Sequence, residues 1–238
     1  MRGPFRLSGR VRPGLLVLSG LDGSGKSTQA AILSERLGRE GVPVETVWNR
    51  WEPRISAPLI RLAKRKLSHP EGSSPEDYGP FTAAKQQAMK SPLKRSLWQL
   101  MVWSEYSVQV NLRLLRHRSG GGGVICDRYV YDTIIDVALN FSLPPDRIEE
   151  LCNHLLLSLF PRPGGVVFFD IDPESGSSRK NDGTPAAYLA DRRAYYTVMA
   201  GLLGAPVIDA GKPIEDVAES LWLLTEDWRK GLPGRRPG

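Results

Sequence analysis

Near the start of the chain, Gly20-Leu21-Asp22-Gly23-Ser24-Gly25-Lys26-Ser27 has the spacing G-x-x-x-x-G-K-[ST], followed by Thr28. Glycines at these positions let the backbone bend so that successive N–H groups point inward at phosphate oxygens, and the start of a following helix adds partial positive charge at the same place. In such a loop Lys26 bridges the β- and γ-phosphates of a nucleotide and the Ser27 hydroxyl ligates Mg2+. A glycine-rich turn with an incidental lysine is the competing reading. Against it stands the context: the apolar run Leu15–Ser19 reads as a strand and Ser27–Leu37 as a helix, the surroundings that a phosphate loop requires.

The loop alone does not say what the nucleotide is used for. The stretch LSGLDGSGKSTQAAILSERL resembles the opening of the thymidylate kinase family, whose loop also carries an aspartate at the position of Asp22. Further resemblances follow in order. Val124-Ile125-Cys126-Asp127-Arg128-Tyr129 is similar to the family's DRY strand end, and Asp170-Ile171-Asp172-Pro173-Glu174 with Arg179 and Lys180 to its D-x-P-P-E strand and lid. Tyr188, Arg193 and Tyr196 match the spacing of the next helix, and Val207-Ile208-Asp209-Ala210 with Pro213-Ile214-Glu215-Asp216-Val217 the C-terminal strand and helix. The likeness spans about residues 14–226. It implies a P-loop NTPase-type α/β fold and phosphoryl transfer from ATP, with Mg2+, to a nucleoside monophosphate, dTMP in the family. It also implies that Asp127 holds Mg2+ water or the loop, and that Arg128 and the Arg50 of Asn49-Arg50-Trp51-Glu52-Pro53 reach the acceptor phosphate. Asp22 and Tyr196 would complete that side.

The loop has no arginine of its own, so the charge developing on the transferring phosphoryl must be met by another cation. Arg179 and Lys180, within a polar segment at about 174–186, are of the family's lid type. Arg179 is the stronger candidate, since a planar fork meets phosphoryl oxygens better than a point charge. No covalent intermediate and no general base are expected, because a phosphate is already a nucleophile at neutral pH.

Two positions depart from the family. Glu105 stands where a base-reading arginine is expected and Asp132 where a small polar residue is expected. Two acceptor-only carboxylates would repel the O4 of thymine, which predicts that dTMP is a poor acceptor and that a base with an exocyclic amino group, or a hydroxyl-rich phosphorylated compound, is better. A register error of one helical turn is the competing explanation. Two further readings stay open: a kinase-like protein of the surface-polysaccharide type with a different acceptor, and an ATP-binding regulatory module without transfer.

The elements that must carry these residues follow from periodicity. Strands are expected at Leu15–Ser19, Val44–Trp48, Val124–Cys126, Val166–Ile171 and Pro206–Ile208, alternating with helices, which predicts a parallel five-stranded sheet covered on both faces. Leu97, Leu100 or Met101, Ser104, Val108, Leu112 and Leu115 recur three or four apart and predict one buried stripe on a long helix at 96–117, a helix that also suits a homodimer face. Residues 68–80 read as a loop. With 238 residues, 41% of them hydrophobic, the chain can bury one core, expected at 14–230.

The formal charge of +6 is carried by four arginines in residues 1–13 and two in 231–238, read as disordered tails, so no nucleic acid partner is expected. No run is long and apolar enough for a membrane span, and the start lacks the apolar centre of a signal peptide. Two isolated cysteines suit a reducing cytoplasm. Partners are therefore small-molecule nucleotides.

One outcome follows from the loop by itself. Lys26→Ala should abolish turnover, to below about 1% in an ADP-coupled assay, with an unchanged circular dichroism spectrum, because it removes transition-state charge and no core packing. Near wild-type ADP formation would show that this loop is not the donor site.

Overall fold

Leu15, Leu16, Val17 and Leu18 are fully buried, which is why this short apolar run becomes the central strand of a sheet covered on both faces. The computed structural model describes residues 5, 7–66, 90–117, 122–180 and 183–232. Strand β1 (Val11–Gly20) lies between β3 (Gly123–Asp127) and β4 (Arg162–Asp170), with β2 (Val44–Trp48) and β5 (Val207–Asp209) outermost. The order is β2-β3-β1-β4-β5 and every pairing is parallel. Leu18 is level with Asp127, Trp48 with Asp127, and Gly20 with Phe169, so the loops that leave the strands emerge along one edge. In an open parallel sheet that edge is where ligands bind.

Among the described residues the helices are α1 (Lys26–Arg39), α2 (Ala57–Lys66), α3 (Pro92–Arg116), α4 (Val130–Asn140), α5 (Glu149–Cys152), α6 (Pro173–Arg179), α7 (Ala186–Leu203), α8 (Ile214–Leu224) and α9 (Glu226–Lys230). Their ends follow from local chemistry. The Asp172 carboxylate accepts from the N–H groups of Glu174 and Ser175, both at 3.1 Å, and Pro173 occupies the first helical position, so α6 starts there. Helix α7 stops at Gly204, which takes the left-handed conformation (φ 59°) that glycine adopts without strain. Beneath β3 and α3, the rings of Trp103, Tyr106 and Tyr129 pack around Phe160 at 5.3–6.4 Å. None of the helices in the described residues is long and apolar enough to cross a membrane.

The five strands stand where the pattern placed them, within a few residues at their ends. Three expectations change. Residues 7–13 are not a disordered tail: Leu7 is buried in the core and β1 begins at Val11, paired with Arg162. At the other end Leu232 is buried too. Residues 1–4, 6, 233–238 and the expected loop at 68–80 lie outside the described residues.

The third change concerns the face of α3. Leu97, Leu100, Val108, Leu112 and Leu115 are each more than half exposed, and the buried face is Val102, Trp103, Tyr106, Val110 and Leu114. The helix is apolar on two sides. Periodicity finds the regular stripe, whereas the aromatic cluster of the core selects the other one, because Trp103 and Tyr106 bury more area than the leucines.

Candidate active site

A cavity of about 610 Å³ opens at the carboxyl edge of the sheet. It runs from Trp48 and Arg50 on the β2 side, over the phosphate loop, to Ala210, Lys212 and Ile214 on the β5 side. The loop residues Asp22 to Thr28 line its floor, with Asp127, Arg128, Arg179 and Lys180 around them. Gly20 and Leu21 lie beneath this floor: Gly20 has φ 134°, and a Cβ there would stand 2.1 Å from the Phe169 carbonyl oxygen, so the chain can turn out of the sheet only at a glycine. Gly23 is tight for another reason. Its own missing Cβ would meet the Gly176 carbonyl oxygen at 2.2 Å, so the loop rests directly on α6.

Lys26 is buried, and its ammonium donates to the Leu21 carbonyl oxygen at 2.5 Å and to Ser24 Oγ at 3.1 Å. Burial lowers its pKa, opposed by the nearby Asp132 and Asp127. The Ser27 hydroxyl donates to the Asp127 carboxylate. Burial raises the pKa of Asp127, against the stabilising hydrogen bond from Ser27 and the charge of Lys26. Among the described residues no three His, Cys, Asp or Glu side chains cluster as metal ligands. One hydroxyl and one carboxylate side by side at a phosphate loop are nevertheless the hard oxygen donors that Mg2+ takes when phosphates and water complete its shell.

Arg128 stands in the wall of the cavity. It has φ 73°, a left-handed conformation that a non-glycine residue adopts at a cost of about 1–3 kcal/mol, the sort of strain found at functional sites. Its guanidinium pairs with Asp22 and, at 2.9 Å, with Asp132. Lys180 reaches the same Asp22 at 3.6 Å. Arg179 donates to the Ala210 carbonyl oxygen at 2.8 Å, which brings the lid arginine to the β5 side of the cavity.

Two sequence-predicted site residues do other work. Asp132 is only 2% exposed, and its two oxygens accept from Ser19 Oγ (2.8 Å), Tyr129 N–H (3.1 Å), Arg128 (2.9 Å) and Tyr196 Oη (2.9 Å). That leaves no free lone pair directed at a base. Glu105 lies away from the cavity. Its carboxylate accepts from the N–H groups of Arg54 and Ile55, both at 2.6 Å, and from Ser56 Oγ at 2.5 Å, holding the segment that leads into α2. Burial raises the pKa of Glu105, but these donors outweigh it and the net shift is downward. The expected repulsion of thymine O4 by the two carboxylates therefore has no basis in the geometry. Tyr196, too, is buried behind Arg128 in the wall.

Arg50 does line the cavity, and its guanidinium pairs with Asp136 at 3.2 Å. Asp136 also holds Arg192, whose guanidinium lies 3.6 Å over the Tyr188 ring. Sequence reasoning missed this pair and favoured Arg193, which instead faces the sheet and grips Asp170 with contacts of 2.6–3.1 Å. A signal was present. Asp132 and Asp136 are four residues apart on α4, as are Tyr188, Arg192 and Tyr196 on α7, so each set shares one helical face and the two faces meet. Cys126 and Cys152 are buried thiols pushed up to about 12 by desolvation, as befits structural residues.

No family model matches the chain. Curated proteins named thymidylate kinase match most of it. One from Roseiflexus castenholzii is 26% identical over 241 aligned residues, covering 92% of this chain and 95% of its own. One from a Synechococcus strain is 27% identical, covering 89% and 94%. One from Cutibacterium acnes is 29% identical over a shorter stretch, 69% of each chain.

Asp127 yields a test with a definite sign. Its pKa is raised in the folded state, so the stability linked to it is complete below its ordinary value of 3.8 and is lost as pH rises through the raised one. At neutral pH the buried charge is a cost. Asp127→Asn should therefore raise the melting temperature of the nucleotide-free protein by roughly 2–4 °C at pH 7, less at pH 4, while turnover collapses. Calorimetry at both pH values checks this; an equal or lower melting temperature at pH 7 would contradict it.

Proposed function

We propose that this chain, a distant relative of the thymidylate kinases, transfers the γ-phosphoryl group of ATP to dTMP. The observation that carries the proposal is the placement of two sets of cations in one cavity: Lys26 with Arg179 toward the β5 side and Arg50 with Arg128 toward the β2 side. Two phosphate-bearing ligands meeting end to end need such an arrangement. ATP would lie with its phosphates over the loop and its base near Ile214 and Val217, and the acceptor phosphate between Arg50 and Arg128. Lys26 would exchange the Leu21 carbonyl for phosphate oxygens, and Ser27 and Asp127 would hold Mg2+, which neutralises phosphate charge when bound.

An oxygen of the acceptor phosphate attacks the γ-phosphorus, the bond to the β–γ bridging oxygen breaks, and ADP leaves. Arg179 and Lys180, as lid cations, meet the charge that develops on the transferring group. dTMP is proposed because the relatives bear that activity in their name and because Asp132 and Glu105 are occupied by protein donors.

The exposed leucines of α3 support a second element of this reading, a homodimer. Leu97, Leu100, Val108, Leu112 and Leu115 form an apolar strip 51–58% exposed along one helix, a surface that a second copy could bury. Leu112→Glu should convert the dimer to a monomer in analytical ultracentrifugation at micromolar concentration. A wild-type protein that sediments as a monomer throughout would rule the dimer out.

The acceptor is tested by kcat/KM in an ADP-coupled assay across dTMP, dCMP, AMP and dGMP. The expected result is a preference for dTMP of at least about tenfold, the value of one well-placed polar contact. Preference for a different monophosphate would correct the acceptor. Mg2+-dependent ATP binding without transfer to any of them would replace the kinase reading by that of a nucleotide-binding module.

A further inference from the structure

The acceptor side of the cavity depends on where Arg50 points, and the main chain around it is held independently of its side chain. Tyr106 Oη donates to the Asn49 carbonyl oxygen at 2.6 Å, and Arg113 donates to Asn49 Oδ1 at 3.0 Å and to the Arg50 carbonyl oxygen at 3.2 Å. The direction of the guanidinium is left to Asp136, whose Oδ2 takes one Arg50 nitrogen while Oδ1 takes Arg192 at 2.9 Å. Arg192 is itself fixed against the Tyr188 ring. The order of support thus runs from Tyr188 through Arg192 and Asp136 to Arg50, from a half-buried face of α7 to the cavity.

We propose that Asp136 and Arg192 are positioning residues for the acceptor, setting the Arg50 guanidinium so that one edge is held by Asp136 and the other is presented to the acceptor phosphate. The inference rests on the reading of the cavity given above. Arginine suits the task because its five N–H donors lie in a rigid plane, so fixing one edge orients the other. Arg192 has a second role. It holds Asp136 from the side away from the cavity, which keeps the carboxylate from turning into the space meant for an anion.

Two effects of removing the Asp136 charge oppose one another, and they predict opposite results. If Asp136 only offset positive charge, Asp136→Asn would strengthen binding of an anionic acceptor. If it positions Arg50, the same change leaves two guanidinium groups repelling each other across a neutral amide, Arg50 loses its direction, and binding weakens. The second effect is expected to win, because Arg50 carries several free torsions and the like charge of Arg192 stands beside it.

The experiment measures KM for dTMP, KM for ATP, kcat and the dissociation constant of dTMP by calorimetry, on the full chain. Asp136→Asn should raise KM and the dissociation constant for dTMP by about tenfold, the usual effect of losing one charge-assisted contact, with KM for ATP and kcat within about twofold. Adding Arg192→Met to Asp136→Asn should recover part of that loss, since it removes the repulsion. An unchanged or lowered dissociation constant for dTMP in Asp136→Asn overturns the inference, as does a loss shared equally by dTMP and ATP together with a lowered melting temperature. A double variant no better than Asp136→Asn overturns the role of Arg192. Wild-type protein that binds no dTMP would remove the functional reading, and this inference with it; binding by wild type and by Asp136→Asn alike removes only the inference.

Discussion

Asp132 is the interaction on which the site depends. A single buried carboxylate takes four hydrogen bonds, from Ser19 at the end of β1, Arg128 and Tyr129 after β3, and Tyr196 on α7. Burying a charge is unfavourable unless it is paired and its lone pairs are filled, and here both conditions are met. The consequence is geometric. The end of the central strand, the strained turn at Arg128 and the helix opposite are locked to one point, so the phosphate loop and the Arg128 guanidinium keep a fixed relation. The same four contacts that stabilise the carboxylate also keep it away from any ligand.

Around that point the cavity solves an electrostatic problem. Lys26, Arg50, Arg128, Arg179 and Lys180 all face one space, and without an anion they would repel one another. Protein acceptors hold them apart: the Leu21 carbonyl for Lys26, Asp136 for Arg50, Asp22 for Arg128 and Lys180, the Ala210 carbonyl for Arg179. Some of these partners differ in strength. A carbonyl dipole is readily exchanged for a phosphate oxygen, whereas the half-buried Asp136 carboxylate bridging two arginines is not. Lys26 and Arg179 are thus held by contacts that a ligand can displace, and Arg50 by one that it can share. The tight approach of Gly23 to Gly176 couples the loop to the helix that carries Arg179, so the donor cations belong to a single packed unit.

Amino-acid order specifies directly the machinery whose parts are neighbours along the chain. The phosphate loop is eight consecutive residues between an apolar run and a helical one, and both flanks are specified by local pattern. Asp127 and Arg128 follow a strand directly, and Arg50 follows the strand before, so the parallel order carries all three to the same edge. Which charges are already spoken for depends instead on how distant segments pack. Ser19 and Asp132 are 113 positions apart, and Ser56 and Glu105 are 49 apart; no local periodicity joins them, so two satisfied carboxylates read as free ones. Arg192 and Arg193 differ by one residue, yet a turn of 100° per residue sends one to Asp136 and the other to Asp170. Helix α3 has two apolar stripes, and the choice between them depended on which one met the Phe160 cluster. Local spacing fixes which residues share a face, but satisfaction of a buried charge and burial of a face are properties of whatever packs opposite, and that is set only when distant segments meet.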